Sequence, residues 1–222
     1  MNKHIVITGA NRGIGLEFCK QYALAGYQVT AIVRRSSDAL EQLNGVNIVT
    51  DIDVSNTTDI TVLQEALSGQ PIDVLINNAG VFSNETLTDM DFSALERQLQ
   101  VNAIAPIRVV HALQQNLSPG AKVAMITSRM GSIADNSSGA YIGYRMSKAA
   151  LNAASVSLAH ELKDQGVALT LLHPGFVQTE MVNYAGDISA EQAAYRLINR
   201  IEELTLESSG SFLHGNGDPL PW

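Results

Sequence analysis

Apolar and polar positions along this chain fall into two kinds of block. Short runs at 4–7, 28–33, 47–51, 72–76, 122–127 and 167–172 are mostly apolar and rich in β-branched residues. Such runs predict strands buried on both faces, as in a parallel sheet. Between them, apolar residues recur three and four apart at 16–23, 57–68, 92–117, 141–162 and 191–206, which predicts amphipathic helices. A last short run at 211–213 predicts an edge strand. Strands alternating with helices predict the α/β class: one domain, 1–222, with a doubly wound parallel sheet covered on both faces. Right-handed crossovers then bring the C-terminal ends of the strands to one rim. Pro106 lies inside the 92–117 helix, where it removes a ladder bond and should bend the helix near Asn102.

The rim is where polar chemistry collects. The first strand runs into Thr8-Gly9-Ala10-Asn11-Arg12-Gly13-Ile14-Gly15, and a helix follows. Gly9, Gly13 and Gly15 stand where side chains would block the turn or hold a phosphate off the backbone. The helix aims free N–H groups at the same spot, so a dinucleotide pyrophosphate suits it. The second strand ends in Arg34 where an NAD site would carry an acid; Arg34, with Arg12, suits the 2′-phosphate of NADP(H). Asp53, with Val54 after it, ends the third strand; it either bonds an adenine amino group or, as Ser55 could, caps the helix at 57–68. Asn77, Asn78, Ala79 and Gly80 end the fourth strand, small enough for close ligand approach, with asparagines able to lock neighbouring strands. Ser128 ends the fifth. Tyr144 and Lys148 lie one turn apart on a helix, hence on one face. An ammonium there would favour the phenolate and bring a phenol of pKa about 10 nearer working pH. Lys148 could also bond a nicotinamide ribose, and Ser128 could polarise a substrate oxygen.

Composition narrows the partners. The net charge of −8 argues against nucleic acid or an anionic membrane, and no apolar stretch is long enough to span a bilayer. The chain enters its first strand directly, without the pattern of a signal peptide. One cysteine, Cys19, excludes an internal disulfide and suits a reducing cytoplasm, the expected location. Its place in a helical pattern puts it in the core. The five histidines show no metal-ligand spacing, so no metal is expected.

In order and spacing the motifs resemble those of the short-chain dehydrogenase/reductase family. They are Thr8-Gly9-x-x-x-Gly13-x-Gly15, Asp53-Val54, Asn77-Asn78-Ala79-Gly80, Asn102, Ser128-x-x-Gly131, Tyr144-x-x-x-Lys148 and Pro174-Gly175-x-x-x-Thr179. The resemblance implies a Rossmann-type sheet in strand order 3-2-1-4-5-6-7 and a catalytic tetrad of Asn102, Ser128, Tyr144 and Lys148. It implies that a water held by backbone near Asn102 contacts Lys148, and that the pro-S hydride is transferred. It adds Asn11, Ile14, Val101, Pro174, Gly175, Val177 and Thr179 to the dinucleotide contacts. Residues 128–136, 144–152 and 219–222 resemble more narrowly the C-factor-type proteins and sniffer-type carbonyl reductases. The interval from Ser128 to Tyr144 is a few residues longer than in the commonest members, an insertion this narrower branch shares. The substrate lid, around 180–190, is short, which suggests an open site for a small or exposed carbonyl.

Two functions are consistent with these residues. One is NADPH-dependent reduction of an aldehyde or ketone to an alcohol, with Tyr144 as general acid. The other is a dinucleotide-binding signalling or regulatory protein with little turnover. The complete tetrad favours the enzyme. The resemblance further implies a homo-oligomer, dimer or tetramer, through the two long helices, although some relatives of the branch are monomers.

Overall fold

The computed structural model describes residues 2–222. Its strands are β1 (His4–Thr8), β2 (Gln28–Ile32), β3 (Val46–Val49), β4 (Ile72–Asn77), β5 (Leu117–Ile126), β6 (Ala168–His173), β7 (Val177–Gln178), β8 (Ile188–Ser189) and β9 (Ser211–His214). Its α-helices are α1 (Gly13–Leu24), α2 (Asp38–Glu41), α3 (Thr57–Ala66), α4 (Phe92–Leu99), α5 (Ala105–Leu113), α6 (Ile142–Lys163) and α7 (Ala190–Glu203). Seven strands form one sheet in the order β3-β2-β1-β4-β5-β6-β9, every pair parallel. This is the doubly wound, single-domain fold in the order the sequence implies. β9 takes the seventh place because β7 and β8, which the apolar pattern does not reveal, pair only with each other.

Period-two alternation along the strands divides the core. Ile5, Ile7, Val74 and Ile76 face Phe18 and Tyr22 of α1 and Leu197 and Ile201 of α7. Val6, Leu75, Val123 and Met125 face Val109 and Leu113 of α5 and Leu151 and Leu162 of α6. Cys19 lies in the first of these layers, and burial pushes its thiol up to about 12, so it is a core residue and not a nucleophile.

The expected helix at 92–117 is three pieces and ends sooner. α4 passes into a five-residue π-helical stretch, Gln100–Ile104, then into α5, and Leu117 already belongs to β5. Pro106 is the reason: it has no N–H to give the carbonyl of Asn102 four residues earlier, and the ladder widens so that Ala105 N–H reaches the Gln100 carbonyl. A second correction concerns α3. Its cap is Asn56, whose side chain accepts from the N–H groups of Thr58 and Asp59, so neither Asp53 nor Ser55 caps it. Asp53 instead closes a turn on Ser55, accepting from its N–H at 2.9 Å and its hydroxyl at 2.6 Å.

Candidate active site

At the rim, the glycines are fixed by close packing. A Cβ on Gly9 would lie 2.7 Å from the Ala79 Cα, and Gly9 holds φ +66. A Cβ on Gly15 would lie 2.2 Å from the Gly9 carbonyl oxygen and 2.6 Å from the Asn78 amide. That amide donates to the Thr8 and Gly9 carbonyls, 3.0 Å each, and the Thr8 hydroxyl accepts from the N–H groups of Asn78 and Ala79. β4 is thereby locked to the glycine turn of β1, as the paired asparagines suggest. Asn77 differs: its amide is buried with neither polar atom partnered. α1 begins after Arg12 with no side-chain cap and no acid in its first turn. Its first N–H groups therefore face the rim uncapped, with no acid of α1's own first turn to repel a phosphate. Ile14 packs against the α1 side of the core.

Arg34 lies just beyond β2, largely exposed, 3.9 Å from the Asp53 carboxylate. Burial pushes the Asp53 acid up, but the two Ser55 hydrogen bonds and the cations Arg34 and Arg97 outweigh it and hold the carboxyl below its usual value. Asn11 donates to the Arg35 carbonyl at 3.1 Å and Ser37 donates to the Asn11 carbonyl at 2.7 Å, so the glycine turn and the end of β2 are stitched together. Between them the Ser36 hydroxyl is buried with no partner. Ser36 carries no signal in the sequence, because only the tertiary stitching buries it. Arg12 pairs with Glu180. Across the turn, Thr179 packs on Gly13, whose added Cβ would meet the Thr179 methyl at 3.3 Å. Val54, Val101 and Val177 are buried, and Gly175, at φ +93, follows Pro174 at the end of β6.

The four tetrad candidates meet where β5, α6 and the π stretch converge. Asn102 is fully buried: its amide donates to the Val81 carbonyl at 2.9 Å and to the Ser147 hydroxyl at 3.0 Å, and its oxygen accepts from Val81 N–H at 2.8 Å. Ser128 follows β5 by two residues, its hydroxyl oxygen accepting from Met130 N–H at 3.1 Å. The Tyr144 phenol lies beside that hydroxyl. Tyr144 is half-buried, and desolvation pushes its phenol up to about 12, against the smaller opposite effect of Ser128. Lys148 is buried, is pushed down to about 8 and donates to the Ile126 carbonyl at 2.9 Å; its Nζ lies 5.8 Å from the centre of the Tyr144 ring. This reverses one expectation. The lysine does not bring the phenol toward neutral pH, because desolvation dominates and the ammonium is engaged with a carbonyl instead of the phenol oxygen. Tyr144 is accordingly a protonated donor at neutral pH. The edge of the Phe82 ring packs on it with centroids 5.0 Å apart.

A glycine turn at an uncapped helix start, with a Ser/Tyr/Lys cluster on the same rim, defines a Rossmann-type oxidoreductase. The comparisons make the class specific. A family model described as short chain dehydrogenase matches residues 3–190, and the chain belongs to that family. It is 35% identical over 98% of its length to 1-hydroxy-2-glutathionyl-2-methyl-3-butene dehydrogenase of Rhodococcus sp. (strain AD45), covering 99% of that protein. To C-signal of Myxococcus xanthus it is 43% identical over 68% of this chain and 93% of the relative. A carbonyl reductase from Pseudomonas aeruginosa PAO1, solved in complex with NADP, superposes with a TM-score of 0.88 at 33% identity, all of both chains covered. No helix among the described residues is long and apolar enough to cross a membrane, and those residues hold no cluster fit for a metal ion.

Proposed function

We propose that this chain is an NADPH-dependent reductase of aldehydes or ketones, with Tyr144 as the proton donor. The observation that carries the reading is the geometry at Tyr144: a half-buried phenol beside Ser128, with Lys148 Nζ 5.8 Å from its ring centre. The rim fits the dinucleotide. Uncapped N–H groups open α1 for a pyrophosphate, and the orphaned Ser36 hydroxyl beside Arg34 suits a 2′-phosphate. The NADP-bound carbonyl reductase from P. aeruginosa supports the same cofactor. The bound cofactor supplies the hydride.

The protein's part is to manage the charge that grows on the substrate oxygen. Ser128 donates a hydrogen bond there, and Tyr144 gives up its proton as the charge forms. The resulting phenolate is offset by the Lys148 ammonium, 5.8 Å from the ring centre. Asn102 holds the backbone at Val81 and the Ser147 hydroxyl in place behind these groups. Residues 180–190 act as the lid over the glycine turn, with Thr179 and Glu180 as its contacts. The test is NADPH oxidation, followed by absorbance, against a panel of aldehydes, diketones and quinones. Turnover with at least one class is expected. Tight NADPH binding with no turnover across the panel would overturn this reading in favour of a dinucleotide-binding regulator.

A further inference from the structure

Tyr144 is the third residue of α6, so its phenol goes where the start of that helix goes. That start is strained. Ala140 and Tyr141 both hold left-handed backbone, φ +54 and +53, though neither is glycine. Such a pair persists only where its surroundings enforce it. The enforcement comes from one segment, residues 82–85, just beyond the Asn77–Gly80 turn. The Asn84 side chain accepts from Tyr141 N–H at 3.0 Å, and the Glu85 carbonyl accepts from Ile142 N–H at 3.1 Å. The Phe82 ring packs on both Tyr141 and Tyr144.

Beneath this contact lies a buried carboxylate with no cation. Glu85 is 2% exposed, and no ion pair among the described residues includes it. One of its oxygens accepts from the Ser83 hydroxyl. The other accepts from Gln98 Nε2 at 2.9 Å, and Gln98, 1% exposed on α4, accepts from Ser83 N–H at 3.1 Å. Both side chains press on the first turn of α6: a Cβ on Gly143 would lie 2.5 Å from Gln98 Nε2 and 2.6 Å from Glu85 Oε2. A buried carboxylate is costly unless fully hydrogen-bonded. Here it sits against the N-terminal end of α6, where the free N–H groups favour negative charge.

We propose that Glu85 and Gln98 are positioning residues that seat the first turn of α6 and so set the placement of the Tyr144 hydroxyl; the proposal rests on Tyr144 being the proton donor. They touch neither the reacting atoms nor the cofactor cradle. Their loss acts on the chemical step and not on dinucleotide binding.

The test uses Glu85→Ala, Glu85→Gln and Gln98→Leu in the full chain, with Tyr144→Phe alongside. Glu85→Ala should lower kcat by about 10–100-fold, the cost of displacing a reacting group by ~1 Å. NADPH affinity should stay unchanged and the solvent isotope effect on kcat should rise, because proton transfer becomes limiting. Glu85→Gln keeps an acceptor for Gln98 and a partner for Ser83, and should restore most of kcat. Gln98→Leu should behave as Glu85→Ala does, and decides the matter with the same readouts if Glu85→Ala does not fold. Unchanged kcat in the alanine variant overturns the proposal, as does a glutamine variant no better than alanine. So does parallel loss of kcat and NADPH affinity. When these occur with Tyr144→Phe inactive, this proposal alone fails; full activity in Tyr144→Phe overturns the functional reading and this one together.

Discussion

At the scale of single residues, the account turns on which charges the fold tolerates. Arg34 stands at the rim with no acid in the place where an NAD site would carry one, and its nearest carboxylate is 3.9 Å away. A charge-assisted hydrogen bond contributes about 1.5–3 kcal/mol, so one to a 2′-phosphate favours NADPH over NADH by tenfold or more. Arg34→Asp should invert that preference when dissociation constants are measured by calorimetry; equal constants in the parent chain would contradict it. Arg34 and the Tyr144–Lys148 pair were legible in the sequence, because strand-end position and helical spacing are local. Ser36 and Ser147 were not: one matters for the partner it lacks, the other for the Asn102 amide it receives, and both are products of tertiary packing. Nor was the state of Tyr144 legible, since spacing gives the neighbour but not the desolvation. Lys148 carries its own consequence. Its folded value is about 8 against 10.5 in the unfolded chain, so burying its ammonium costs stability at neutral pH. That cost is full below about 8 and fades as pH rises from about 8 through 10.5, where the folded lysine is already neutral and the unfolded one still charged. Lys148→Met should abolish turnover yet raise stability to urea at pH 7 by up to about 3 kcal/mol, with the gain shrinking above pH 8. A destabilised variant at pH 7 would contradict this.

Among the elements, α1 depends on the fit of its first turn. Gly15 has ordinary helical backbone, so its requirement is for space alone: an added methyl would lie 2.2 Å from the Gly9 carbonyl. Gly15→Ala should therefore push the glycine turn off β4, lowering stability by roughly 1–3 kcal/mol, the usual cost of overpacking. Dinucleotide affinity should fall with it. A thermal melt and a titration check both, and an alanine variant that binds normally would show that the turn gives way freely. The existence of α1 and its glycine turn was legible from apolar periodicity followed backward to three glycines. The π stretch at Gln100–Ile104 was not, because five residues are too few for a wider turn to show in the apolar spacing; Pro106 signalled a break there without giving its form. The cap of α3, which Asp53 or Ser55 could have supplied, was hidden for a related reason. Asp53, Ser55 and Asn56 are all capping types within four positions, and only the turn that Asp53 closes on Ser55 leaves Asn56 at the helix start.

Over the whole molecule, strict alternation of strand and helix made the parallel sheet and its rim legible, and the strand order came from the family resemblance. The β7–β8 ribbon escaped notice because two residues per strand are too few for any periodicity to register. Acid stability is set partly at the sheet's end. His173 closes β6; burial first, then His214 and Arg129, push it down to about 3 from 6.5. The unfolded chain thus takes up a proton that the folded chain refuses, so stability is lost as pH falls from 6.5 toward 3, by about 1.4 kcal/mol per pH unit. His173→Leu should flatten that loss in urea unfolding between pH 7 and 5, and an unchanged slope would contradict it. The central claim is that this fold presents one protonated phenol, set beside a buried lysine, to a carbonyl beside NADPH. It is tested most directly by comparing Tyr144→Phe with the parent chain for NADPH oxidation on a substrate the parent reduces well, with NADPH affinity measured on both. The account predicts a loss of about 10²–10⁴-fold in kcat with NADPH affinity unchanged; near-normal turnover in Tyr144→Phe would contradict it.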